Sequence, residues 1–419
     1  MSSEDARAPA RTISPAATAD APAASPPFPL GPLAATLAVQ TLATAAAYSI
    51  PAVAPAIARD LGINPALVGV YISAVYGVGI FSALFSPPVI HARGATRVCQ
   101  AVLLSTLAMI ATAATGSIAA IALSAALMGL AYGATAPSAA HLLVPRTPPA
   151  HMNVVLSLRQ IGVPLGGVLA GLLMPPLTLA ASWQVALLVQ VVPVLVLLAI
   201  LEALRRRWDA PGIAAAPRRT GLLAPLRLLR GNGALQRLCF ASFVYSGLQL
   251  CFIVFMTTHL TTVVGFDLVA AGRALAVYQL SGVIARPIWG WLADHVLAAR
   301  VLLALQGFVM YAAALMAGAF SAAWPPYLIL LVCVMGGATA SGFTGIAYGE
   351  YARIGGAQRT EATGLGSAFM FAGVMVIPLV MSGAVLSLGG YTLAYLVVGV
   401  LALLAGLLLA VQRTARATE

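Results

Sequence analysis

The stretch SGVIARPIWGWLADH, Ser281–His295, sets a single cation, Arg286, in the middle of an apolar run. Pro287 and Gly290 follow it, and Asp294 and His295 close the segment. Asp294 lies eight positions beyond Arg286, about 12 Å at the rise of an α-helix. If Asp294 marks the edge of a hydrocarbon layer about 30 Å thick, Arg286 sits well inside it. An arginine at such depth costs about 2.5–3.5 kcal/mol to insert. A chain keeps one there where it faces a cavity, a partner or a substrate.

Composition agrees with a membrane setting. Hydrophobic residues make up 61% of the 419 and charged residues 8%, where a water-soluble domain carries about 25% charged residues. Runs long enough to cross a bilayer fall at 30–57, 66–89, 98–117, 119–143, 158–178, 183–204, 236–258, 268–293, 299–320, 325–348, 362–387 and 391–411. That gives twelve spans and an all-α membrane protein.

The net charge of +11 points to topology, not to nucleic acid. Alternating the spans puts nineteen of the 22 basic residues, all arginine, on the side of the two ends. Arg59 and Arg273 fall on the other side, and Arg286 is embedded. The positive-inside rule assigns the crowded side to the cytoplasm, so both termini are expected there. An odd number of spans would break this alternation.

Residues 1–28, rich in Ala, Pro and Ser, read as a disordered cytoplasmic tail, with no cleavable signal pattern. Residues 29–204 hold six spans and residues 236–412 hold six more, with 205–235 a basic cytoplasmic linker and 413–419 a second tail. Eight arginines lie between Arg205 and Arg237. The stretch TGLLAPLRLLRGN, Thr220–Asn232, in their midst is either plain linker or an amphipathic turn on anionic headgroups.

Cys99, Cys239, Cys251 and Cys333 fall in apolar runs without metal-ligand spacing and read as small buried hydrophobes. No disulfide, metal or cofactor is expected. With no Gly-x-Ser-x-Gly and no phosphate loop, neither an enzyme nor a primary ATP-driven pump is indicated.

The two sets of six spans share a pattern. A shift of 203 positions lays Gly79 on Gly282, Pro87 on Gly290, His91 on Asp294 and Arg97 on Arg300, as a duplicated unit would. With GWLADH closing the eighth span, the layout resembles the major facilitator superfamily. The signature of that family after its second and eighth helices runs Gly-x-x-x-Asp-Arg-x-Gly-Arg-Arg. Gly290 and Asp294 match it, while His295 stands for Arg and Leu297 for the second Gly. In the first copy Pro87 stands for Gly and His91 for Asp, and only Gly94 fits. GLAYGATAP, Gly129–Pro137, is similar to the glycine-rich fourth helix, although Ala125 replaces the usual arginine. LRQIGVPLGGVLAG, Leu158–Gly171, resembles the Gly/Pro-rich fifth helix of many bacterial members.

The resemblance implies two pseudo-symmetric six-helix bundles and secondary active transport by alternating access, in a bacterial inner membrane. It implies a monomer whose partners are membrane lipid, a small-molecule substrate and protons, with no nucleic acid. In the monocarboxylate branch and related bacterial organic-anion carriers, an eighth-helix arginine followed by Pro and Gly pairs with the substrate carboxylate. ARPIWG is similar, so Arg286 is the expected anion clamp, and a guanidinium fork suits a carboxylate. That branch carries an Asp one turn earlier, where this chain has Gly282. The plainer alternative is that Arg286 reaches a cluster of carbonyls or ordered water.

By the same resemblance the cavity is lined from the first, fourth, seventh and tenth helices. Gln40, Thr44 and Tyr48, Tyr132 and Thr135, Tyr245 and Gln249, and Thr339, Ser341 and Thr344 are their polar residues. Some would only bond their own helix backbone. Gating is expected at Gly290 and Asp294, with Asp294 facing the start of the fifth helix and Arg159 within reach. His91, in the equivalent turn, would make a weaker latch. Asp60, Asp267, Glu202, Glu350, His141 and His259 all fall near helix ends, so the coupling ion is open. The rival expectation is proton-driven efflux of drugs or other hydrophobic compounds, since GVPLGG partly matches the exporter motif Gly-x-x-x-Gly-Pro-x-x-Gly-Gly.

Overall fold

The computed structural model of the protein describes residues 28–148, 152–209 and 224–411. Most of the expected N-terminal tail, residues 210–223 of the expected linker and the last eight residues lie outside that set. Among the described residues, twelve helices are long and apolar enough to cross a membrane. They are α1 (Leu30–Ala52), α2 (Val68–Arg93), α3 (Ala95–Ala113), α4 (Ile118–Arg146), α5 (Leu158–Ala180) and α6 (Trp183–Trp208), then α7 (Gly233–Val264), α8 (Leu268–His295), α9 (Ala299–Gly318), α10 (Pro326–Gly355), α11 (Ala362–Leu388) and α12 (Tyr391–Ala410). Among the described residues there is no strand. In hydrocarbon a helix satisfies its own backbone groups, which is why apolar runs of this length take that form.

Local chemistry sets the helix starts. Ser117 accepts from the Ala120 N–H, Ser182 from Val185, Asn232 from Leu235 and Asp267 from Ala270. These caps occupy amide groups the first turn would otherwise leave without a partner. The α2–α3 turn is capped from afar. The Asp209 carboxylate, just past α6, accepts from the backbone N–H groups of Thr96 and Arg97 at 2.9 and 3.2 Å. Gly94 makes this possible with φ +90°, and a Cβ there would lie 2.4 Å from the Asp209 carboxyl carbon.

The two halves repeat one packing scheme. In the first, α1 packs on α5 and α2 on α4; in the second, α7 packs on α11 and α8 on α10. The chain therefore forms the two pseudo-symmetric bundles expected. The main contacts between the halves are α5 with α8 and α2 with α11, and α7 adds smaller ones to α1 and α2.

The start of α1 and the end of α12 share one face with the end of α6 and the start of α7, here called the linker face; the opposite is the far face. Three polar or ring contacts seal the seam between halves from the far face inward. The Thr257 hydroxyl donates to the Pro51 carbonyl at 3.2 Å, the Ser382 hydroxyl to the Ala66 carbonyl, and Tyr76 lies 6.3 Å from Phe371 between ring centres. Gly171 and Gly272 close α5 on α8, a Cβ on either lying 2.7 or 2.4 Å from the carbonyl of the other. Only glycine allows that approach. Toward the linker face, the last hydrogen bond between halves among the described residues is the one made by Arg286.

Among the described residues, breaks in four helices refine the expected spans, the one in α6 falling at Gln190. The first run, 30–57, divides at Val53, and a separate helix covers Ala54–Leu61. Within α5 the helix is interrupted at Ile161, and within α10 at Ser341 and Gly342. The last two interruptions build the site.

Candidate functional site

Arg286 bridges two helix breaks. Pro164 has no N–H, so the carbonyl of Gln160, four residues earlier, lacks its helical donor. Arg286 Nη1 supplies one at 3.0 Å. In α10, Arg286 Nε donates to the Ser341 carbonyl at 3.0 Å and Nη2 approaches the Ser341 hydroxyl at 3.5 Å. Gln249 of α7 extends the group, its Nε2 3.4 Å from the same hydroxyl. The carbonyl partners anticipated as the plainer alternative are thus present. They are neutral, and they occupy only part of a fork with five N–H donors. Arg286 itself is half-buried.

A second guanidinium stands beside it. Arg159 is only 6% exposed, and its Nη2 donates to the Gln40 Oε1 at 2.7 Å. Gln40 passes the chain on: its Nε2 donates to the Thr44 hydroxyl at 3.1 Å, which approaches the Tyr132 hydroxyl at 3.4 Å. The Tyr132 ring meets Tyr76 edge-on at 5.4 Å, and Tyr76 and Tyr48 bring their hydroxyls to 3.4 Å. Gln160 joins the two arginines, because its side-chain Oε1 accepts from Arg159 Nη1 at 3.3 Å while its carbonyl accepts from Arg286.

The expected lining residues divide accordingly. The structure brings Arg286, Ser341 and Gln249 into one group, and Gln40, Thr44, Tyr132 and Tyr48 into a second that includes Arg159. Thr135 and Thr339 bond carbonyls of their own helices. Thr344 is half-buried one turn beyond Ser341. Tyr245 faces elsewhere: fully buried, it donates to the Leu303 carbonyl at 3.0 Å and packs edge-on against Phe343. It belongs to the packing of the second bundle.

At the expected gate, Asp294 is exposed in the last turn of α8, and Gly290 has open space where a Cβ would stand. Arg159 points to Gln40 instead, and no ion pair joins it to Asp294 in this conformation. His91 meets His141 edge-on at 5.0 Å. Sequence reasoning missed Gln160 and Tyr76. Pro164, four residues after Gln160, was the available signal for the first.

Among the described residues, the carboxylates are committed elsewhere or exposed at helix ends. Asp60 accepts from Trp183 Nε1 at 2.9 Å and Gln184 Nε2 at 3.2 Å. Glu202 pairs with Arg97 and Arg205, and Glu350 with Arg353 at 2.6 Å. Asp209 and Asp267 cap helices. Among the described residues, no carboxylate lies against Arg286 or Arg159, and no cluster of His, Cys, Asp and Glu could hold a metal. Two surface grooves of about 440 and 450 Å³ lie away from this group, one between α3 and α6 and one at the far-face seam.

Comparison with known proteins places the chain. The model of the Major Facilitator Superfamily matches residues 36–313 and 238–419. A bacterial homolog of the human lysosomal transporter Spinster, solved inward-facing and occupied, superposes with a TM-score of 0.68 at 15% identity, over 92% of this chain and 96% of that one. Its inward-facing, unoccupied form gives 0.65 at 16% identity, over 92% and 95%. Both are similar in fold. A probable nitrate/nitrite transporter, NarK2 of Mycobacterium tuberculosis, is 39% identical over 66 residues, 15% of this chain. That match spans 17% of the relative's length.

Proposed function

This chain belongs to the Major Facilitator Superfamily, and on that premise we propose that it carries a small organic anion, a carboxylate, by alternating access. It is a multi-pass membrane transporter of a small molecule, from a family of carriers and not enzymes. The observation that supports an anion is Arg286: a charged fork inside apolar helices, half-buried, with only neutral oxygens against it. A buried charge without a counter-charge is costly, and a carboxylate oxygen makes a stronger partner than a carbonyl. The short match to a probable nitrate/nitrite transporter is in keeping with an anionic cargo.

The membrane is the inner membrane of a bacterium, with the linker face cytoplasmic by its excess of arginine. The sealed far face is then external, and Arg286 stands at the inner end of the closed seam, as in an inward-open carrier. In the outward-open state Asp294 closes against the positive start of α5, with Gly290 in the same turn and His91 making the weaker counterpart. Ser341, Gln249, Gln40, Thr44, Tyr48 and Tyr132 line the path, with Thr344 at its inner edge.

Efflux of hydrophobic compounds is the second reading, favoured by the rings of Tyr76, Tyr132 and Phe371 beside the site. Uptake of labelled short carboxylates into proteoliposomes separates the two. Saturable uptake that Arg286→Gln abolishes and Arg286→Lys partly retains supports the anion carrier. Uptake indifferent to Arg286, with transport of lipophilic cations, supports the exporter.

A further inference from the structure

We infer that Arg159 is a second cationic contact for the cargo, which is a short dicarboxylate held between Arg159 and Arg286; this rests on the anion-carrier function proposed above. Arg159 Nη2 and Nη1 are held by the side-chain oxygens of Gln40 and Gln160. Its Nε–H is buried and has no acceptor. A buried donor of this kind is destabilising until an acceptor arrives. Nothing acidic among the described residues is placed to provide one.

The two guanidinium groups form one site, not two. Gln160 offers one oxygen to each, at 3.3 and 3.0 Å, so the two heads are separated by no more than one glutamine and two hydrogen bonds. A single carboxylate would neutralise one charge and leave the other buried. Two carboxylates on a short carbon chain neutralise both, each exchanging a neutral oxygen for a charged one. A role confined to fastening α1 to α5 needs only the Gln40 contact and leaves the Nε–H and the uncompensated charge without a purpose.

The test compares succinate with succinamate, which differ by one carboxylate against one amide. Calorimetry on the full chain in lipid nanodiscs, near neutral pH, follows both ligands in wild type, Arg159→Gln, Arg159→Lys and Arg286→Gln. In wild type succinate binds at least about tenfold more tightly, the scale of one charged hydrogen bond. Arg159→Gln brings succinate down to the level of succinamate and leaves succinamate nearly unchanged, while Arg159→Lys keeps part of the preference. Equal affinities in wild type overturn the second contact and leave Arg286 as a monoanion site. So does an equal loss of both ligands in Arg159→Gln. If neither ligand binds, or if Arg286→Gln binds both as wild type does, the anion carrier itself falls, and the second contact with it. Should Arg159→Gln fail to fold, the wild-type ratio and Arg159→Lys decide.

Discussion

Arg286 of α8 donates to the carbonyl of Gln160 in α5 at 3.0 Å, filling a vacancy that Pro164 leaves in the helical ladder. The contact crosses the two halves at the inner end of their sealed seam. Motion of one half against the other strains it, and an anion that takes the N–H now given to Gln160 replaces it. Cargo binding and the rocking of the bundles therefore draw on the same hydrogen bond.

Pro164→Ala tests this sharing. The new N–H competes for the Gln160 carbonyl and frees Arg286 Nη1. Affinity for a carboxylate rises at least about tenfold, the low end of the roughly 1.5–3 kcal/mol of a hydrogen bond to a charged group. Calorimetric binding to wild type and variant reads it; a fall in affinity would mean that the bond positions Arg286 and does not compete with cargo.

The far-face seam depends on Gly171 and Gly272, where neither position has room for a Cβ. Gly272→Val overpacks the closed form by about 1–3 kcal/mol and shifts the population toward opening on the far face. Gln279, buried on α8 against Gly167, is a natural reporter. Gln279→Cys in the Gly272→Val background gains labelling by an impermeant thiol reagent from the far face. No gain would show that the seam opens elsewhere.

The fold was legible from length, hydropathy and arginine placement. Twelve spans emerge because hydrocarbon allows a helix no other source of backbone partners. The breaks were harder. Pro164 lies at the α5 interruption and signals it, whereas the α10 break at Ser341–Gly342 has no proline to mark it. The site was legible where a charge stood out, as at Arg286, and in the polar residues of α1 and α10. Tyr245 shows the limit: α7 is apolar around its whole circumference and buried along most of its length, so sequence gives no phase to say which side faces the cavity. The resemblance cast Arg159 as a gate residue, and only the three-dimensional path from Gln160 to Gln40 places it beside Arg286.

Asp209 caps α3 from the end of α6. Asp209→Ala lowers stability by about 0.5–2 kcal/mol, the usual cost of a lost N-cap. Ligand binding per folded molecule is unchanged. Thermal denaturation with and without ligand checks both statements; a selective loss of binding would assign Asp209 to the transport cycle.

Arg159 and Arg286, with no carboxylate against either among the described residues, would make the empty carrier costly to close, because closure removes water from the charges. Exchange of internal for external dicarboxylate in proteoliposomes is therefore faster than net efflux, by about tenfold for a difference of 1.4 kcal/mol in barrier. Equal rates would show that the empty site closes as readily as the loaded one.

The most direct test of Arg286 as the anion clamp is thermal stabilisation of the purified protein by a panel of short carboxylates, neutral solutes and lipophilic cations, in wild type and Arg286→Gln. A ligand that binds only the folded state adds about 2.7 kcal/mol at a hundred times its Kd. The account predicts that a carboxylate raises the wild-type Tm and leaves Arg286→Gln unmoved. Equal stabilisation of both proteins, by carboxylates or by lipophilic cations, would contradict it.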